Sequence, residues 1–229
     1  MKTPAIGTVE YEIEKTKSTG IYPTNRGACG DTPNYPTNRG VCGDTVKPRL
    51  LLHCCCGPCT AGTLAYIAEY FDITAYFYNP NIMPSEEFEK RLIALKEILS
   101  HFDGVKLIVP EQSVDEYLSL VRGMESIPEG GERCIKCFEL RLENTAQYLA
   151  AHKDEYDYFA TTLTISPMKN AASINGIGNF LASKYGVTYL SSDFKKRDGY
   201  LHSIQLCKEW NIYRQHYCGC RLTPENLNV

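Results

Sequence analysis

From residue 49 onward, apolar residues recur in two alternating rhythms. Short leucine-rich, β-branched or aromatic runs at 49–54, 73–78, 105–109, 156–160 and 187–190 predict strands. Longer stretches with three- and four-residue spacing at 60–70, 85–102, 134–151 and 171–185 predict helices between them. In the second of these, Phe88, Leu92, Leu95 and Ile98 fall on one face, and Ser85 followed by two glutamates marks the start. Strand runs that are apolar throughout, alternating with helices, predict an α/β fold: a mainly parallel, doubly wound (Rossmann-like, HUP-like) sheet with helices on both faces. Such sheets bind ligands beyond the carboxyl ends of their strands, and the chemistry is expected there.

Residues 22–45 have almost no apolar periodicity. YPTNRGACGDT at 22–32 returns as YPTNRGVCGDT at 35–45, a duplicated unit rich in turn formers. Two copies are too few for a solenoid, and the duplication alone accounts for the matching Cys29 and Cys42. The expected organisation is a poorly ordered N-terminal arm, 1–46, followed by a catalytic domain, 47–229.

The 43% apolar and 22% charged content is that of a globular chain able to bury a core without disulfide support. Met1 to Glu10 lacks a basic stretch leading into an apolar run, and nowhere is there an apolar run of about 18 residues. The expectation is a cytoplasmic protein with no membrane partner. In a reducing compartment, eleven cysteines point to metal or redox chemistry and not to structural bridges. A net charge of −3 does not advertise polyanion binding, so a nucleic acid would have to meet a local patch. Lys195, Lys196 and Arg197, with Arg214 and Arg221, form the candidate.

Three cysteine clusters carry the chemistry. His53-Cys54-Cys55-Cys56-Gly57-Pro58-Cys59 lies where the first strand passes into a helix, and the positive end of a helix dipole favours thiolates there. Cys134 and Cys137 stand three apart at a second helix start, which turns both sulfurs to one side. Cys218-Gly219-Cys220 is either a strained, redox-active pair or two further metal ligands. Cys207, beside Leu206, reads as a core residue. Structural zinc needs only four thiolates, and this excess favours an iron centre with redox work. A zinc-bound RNA-binding module and a metal-free thiol–disulfide oxidoreductase are the rival readings.

HCCCGPC at 53–59, YNPNI at 78–82, ERCIKCFELRL at 132–142, TTLTISPMKN at 161–170, SDFKKRDGY at 192–200 and YRQHYCGC at 213–220 together resemble the cobalamin-independent epoxyqueuosine reductase family (QueH). The resemblance runs from about residue 51 to 222. It implies two-electron reduction of the epoxide of epoxyqueuosine, at the anticodon wobble position of a tRNA, to queuosine. It further implies a 4Fe-4S cluster on Cys55, Cys56, Cys134 and Cys137, a redox-active pair at Cys218 and Cys220, and an electron donor not identified by sequence. An additional non-cluster iron near Cys59 and Asp193 is a further expectation, with Asp193 read alternatively as a general acid or a turn cap. Cys54 stands where the family more often has an apolar residue, and is left out of the ligand set. Lys195, Lys196, Arg197 and Arg214 then gain a reading as tRNA contacts.

Overall fold

The computed structural model describes residues 4–19 and 47–220, with the side chains of Thr19 and Arg197 outside the description. The duplicated unit with Cys29 and Cys42, and Arg221, also lie outside the described residues. In chain order the elements are α1 (Val9–Thr19), β1 (Arg49–His53), α2 (Gly57–Ile67), β2 (Asp72–Tyr76), α3 (Ser85–Leu99), β3 (Lys106–Ile108), α4 (Val114–Leu120), α5 (Glu132–Ala151), β4 (Tyr158–Thr161), α6 (Ala171–Tyr185) and α7 (Gly199–Glu209).

The four strands form one all-parallel sheet in the order β3-β2-β1-β4. Its alternation is visible residue by residue. Leu50, Leu52, Ile73, Ala75 and Ala160 enter one core with α2 and α3, while Leu51, Tyr76 and Phe159 enter the other with α5 and α6. Both faces are thus covered, as a parallel sheet requires. The chain winds outward from β1 to β3 and then returns to the far side of β1 as β4. This reversal opens a crevice beyond the carboxyl ends of β1 and β4.

The expected strand at 187–190 reduces to a single bridge, Phe159 to Tyr189, flanked by Phe159 N–H to Thr188 O and Leu190 N–H to Phe159 O, each 2.9 Å. Gly186, with φ of 61°, caps α6 immediately before it, leaving too little chain for a regular strand. The next residue is occupied differently: Val9 N–H donates to Ser191 O at 3.0 Å.

That contact belongs to a segment expected to lie outside the domain. Helix α1 lays Val9 and Ile13, 0% and 3% exposed, into the main core beside Leu50 and Leu190. The arm expected over 1–46 therefore contains at least one packed element. Its weak pattern hid it, since only one turn-to-turn stripe is apolar. Ile13→Ala is expected to cost about 2 kcal/mol, the low end for a buried Ile at a domain's edge. Thermal melting checks this, and an unchanged midpoint would mean that α1 does not pack as described.

Helix α2 fits tightly between α3 and α7. A Cβ at Gly62 would come within 2.7 Å of Gly199 O and 2.8 Å of Ser203 Cβ, so glycine sets how closely α2 and α7 approach. Among the described residues no helix is long and apolar enough to cross a membrane.

Candidate metal centre

The crevice holds a cavity of about 480 Å³, and Cys55, Cys56, Cys59, Cys134, Cys137, Cys218 and Cys220 all line it. Three unrelated stretches of chain bring them there. Cys55 and Cys56 sit on an irregular turn between β1 and α2, where Cys56, extended at φ −174°, is the N-cap and Pro58 lies in the first helical turn. This irregularity lets adjacent sulfurs face one space, which a regular strand forbids. The sulfurs of Cys55, Cys56 and Cys59 all lie within 4.8 Å of one another. Cys134 and Cys137 occupy the first turns of α5 on the opposite face of the sheet, with Gly130 N–H donating to Cys134 Sγ at 3.2 Å. Cys218 and Cys220, 3.6 Å apart at sulfur, come from the segment after α7.

Cys54 points elsewhere. Its thiol donates to Leu52 O at 3.3 Å, and it packs in the core of the α2 face. Cys207 is buried against Ala61, Ala94 and Ile98, a core residue as its setting in the sequence indicates.

Charge around the cavity is uneven. Hydrogen bonds from Cys56 and Cys59, then Lys169 and Thr162, hold the Cys55 thiol well below its usual range despite burial. The Cys220 thiol does the same for Cys218, again helped by Lys169. Cys137 is pushed up to about 11, chiefly by burial, and Cys56 to about 12, chiefly by its bond with Cys55. Burial opposes the charge of Arg141, but the sulfurs of Cys137, Cys55 and Cys218 outweigh it and hold the guanidinium above its usual range. Two cations, Arg141 and Lys169, thus stand over a sulfur-rich floor.

This asymmetry has a measurable result. In reduced, metal-free protein, Cys55 and Cys218 therefore ionise more readily than Cys56 and Cys137. Timed alkylation read by mass spectrometry is expected to mark Cys55 and Cys218 first, and Lys169→Met to slow both. Equal rates at all four positions would contradict the charge distribution.

The remaining sequence-derived candidates divide. Arg214 lines the cavity, donating to Tyr200 Oη at 2.7 Å. Lys195 is turned inward: its Nζ meets Asp193 Oδ1 at 3.1 Å and donates to Thr164 O at 3.1 Å and Lys169 O at 3.4 Å. Asp193 and Lys196 line a separate recess of about 110 Å³ with Glu10 and His202. The structure does not bring Asp193 to the cysteine cavity, because its partner Lys195 ties it to the segment after β4. Arg141, Lys169 and Asn81 were not singled out by sequence, although each lies inside a quoted motif. Tyr117 lies on α4, which the sequence reading left unassigned. The Ser113-x-x-Glu116 capping box was its available signal, and Ser113 Oγ accepts from Glu116 N–H at 3.2 Å.

The residues present suit a metal–sulfur group. Asn81 Oδ1 and Gln215 Oε1 are buried at the cavity wall without a hydrogen-bond partner. Such orphaned polar atoms call for a guest. A sulfur-rich cavity with the buried Arg141 guanidinium and the half-buried Lys169 beside it matches an anionic thiolate-bound centre.

A model of the family described as "Epoxyqueuosine reductase QueH" matches residues 50–226. Epoxyqueuosine reductase QueH of Streptococcus pyogenes serotype M1 is 44% identical over 180 residues, 76% of this chain and 70% of that protein. The Staphylococcus epidermidis protein of the same name is 43% identical over 181 residues, 76% and 75% of the two chains. That of Thermotoga maritima is 38% identical over 174 residues, 75% and 88%. All seven cavity cysteines fall within the matched span, and the chain belongs to the epoxyqueuosine reductase QueH family.

Proposed function

We propose that the chain is an oxidoreductase that reduces the epoxide of epoxyqueuosine, carried by a tRNA anticodon loop, to the cyclopentene of queuosine. The observation that carries this reading is the meeting of seven cysteines from three distant segments at one cavity, in a member of this family. Removing the oxygen takes two electrons and two protons and releases water. A dithiol passing to a disulfide at Cys218 and Cys220 yields two electrons and two protons, so the pair balances the reaction, and an electron donor must restore it afterwards.

Cys55, Cys56, Cys134 and Cys137 would hold a 4Fe-4S cluster, and Cys59, in sulfur contact range of the first two, is a further candidate ligand. When bound, such a cluster supplies one-electron transfer and Lewis acidity at the cavity floor. The chain's own groups do the rest. Arg141 and Lys169 offset the negative charge of the sulfurs. Asn81 and Tyr117 offer hydrogen bonds from the wall, and Arg214 with Tyr200 flanks the opening where an unstacked nucleotide would enter. Lys195 has the internal role described above, so Arg214, beside Tyr200 at the cavity, is the better tRNA-facing cation.

The deciding experiment incubates anaerobically reconstituted protein and a strong reductant with tRNA carrying epoxyqueuosine, then analyses the nucleosides by mass spectrometry. Conversion to queuosine is expected. If fully loaded protein leaves the oxygen in place, the proposed reaction is wrong.

A further inference from the structure

One side of the cavity is closed by residues 211–220, an arm without regular secondary structure. What holds it is a buried ion pair on α3. Arg91 Nε meets Glu87 Oε1 at 2.7 Å across one helical turn, with both side chains 5% exposed. Tyr213 Oη, from the arm, donates to Glu87 Oε1 at 3.1 Å and Oε2 at 2.9 Å. Arg91 Nη2 donates to Tyr217 O at 3.2 Å, and the guanidinium lies 5.4 Å from the centre of the Tyr217 ring.

Between the two thiols the arm lies flush on this surface. Gly219 O accepts from Met83 N–H at 3.0 Å, and a Cβ at Gly219 would come within 2.8 Å of Ile82 Cγ1 and 3.2 Å of Arg91 Nη1. The glycine between the cysteines is therefore required by close approach.

A buried pair is weak grounds for a stabilising role, because desolvation offsets much of the attraction. Here both partners reach beyond the pair, and they reach to the same arm. We propose that Glu87 and Arg91 are positioning residues, a clamp that fixes the 211–220 arm on α3 and so sets where Cys218 and Cys220 stand in the cavity. Only the use of that pair in catalysis rests on the proposed function; the clamp can be tested without tRNA.

The test is timed alkylation of reduced, metal-free, full-length protein by iodoacetamide, with each cysteine followed by mass spectrometry. Tyr213→Phe removes one hydroxyl from a residue 38% exposed and leaves α3 intact, so it guards against misfolding. Glu87→Gln removes the charge. Arg91→Lys keeps a charge opposite Glu87 but lacks the fork that reaches Glu87 and the Tyr217 carbonyl together. In each variant Cys220, 6% exposed in the closed arm, is expected to react roughly tenfold faster, the worth of one such hydrogen bond, with Cys55 and Cys134 unchanged. Cys220 rates within about twofold of the parent in all three variants would overturn the clamp, that factor being less than one hydrogen bond. So would equal acceleration of all the cavity cysteines, which would make the ion pair a support for the whole core. If Cys220 is released as expected but the parent protein lacks reductase activity, the clamp stands and the functional reading falls.

Discussion

With the ligand set proposed above, alanine at Cys55 is expected to strip the metal from the chain and lower reductase turnover by more than ~100-fold, since even an indirect disturbance of a metal ligand costs about 10–100-fold. Alanine at Cys54, one residue earlier, is expected to change neither measurably. The two thiols differ in where the backbone sends them. Cys54 still follows the strand's alternation, its sulfur directed at Leu52 O in the core of the α2 face, and burial pushes it up to about 12. Cys55 follows the break in that alternation, faces the cavity, and is held well below the usual thiol range by Cys56, Cys59 and Lys169. Metal content per chain and visible absorption after anaerobic reconstitution provide the measurement, together with turnover. The reverse pattern would shift the ligand register by one residue and refute the site as described.

Arg141→Met is expected to be the most destabilising single change at the site, by about 3 kcal/mol. The guanidinium donates to Cys137 O and to Asn79 Oδ1, each at 3.2 Å, and Asn79 Nδ2 donates in turn to Cys54 O at 2.9 Å. One side chain thus ties the start of α5 to the turns after β1 and β2, across the crevice. Removing it orphans a buried acceptor and leaves the thiolates without their deepest counter-charge. For a domain of this size, the melting midpoint should fall by roughly 6–12 °C. Lysine at the same place should recover only part of the loss, since a point charge cannot serve both acceptors. A midpoint unchanged in Arg141→Met would remove this residue from the account.

The doubly wound sheet could be read from the sequence because its strands are buried on both faces, so that runs such as Leu50-Leu51-Leu52 are apolar without interruption. Two elements escaped for opposite reasons. Helix α1 contributes only a narrow apolar stripe, and α4 is seven residues long, too short for its periodicity to register. At the site the cysteines were legible because thiols so closely spaced have few other uses. The cations were not. Arg141 and Lys169 look like ordinary helix and loop charges until the fold buries the first and half-buries the second beside the sulfurs. Lys195 differs in the other direction. A run of basic residues suggests a solvated patch, yet hydrogen bonds to two carbonyls fix this one inside a turn. Its ion-pair partner is Asp193, which lines a separate recess.

The sulfurs that line the crevice are drawn from as early as Cys55 and as late as Cys220. At about 5–20 residues per second, a ribosome needs roughly 10–30 s to deliver the last pair after the first has emerged. During that interval the early thiols have no final neighbours, so any metal this cavity takes must wait for the arm after α7 or meet a half-built nest. Biogenesis of this centre is in that sense a problem of timing, with Cys55, Cys56 and Cys59 exposed to stray zinc or oxidant until the final turn of chain closes over them.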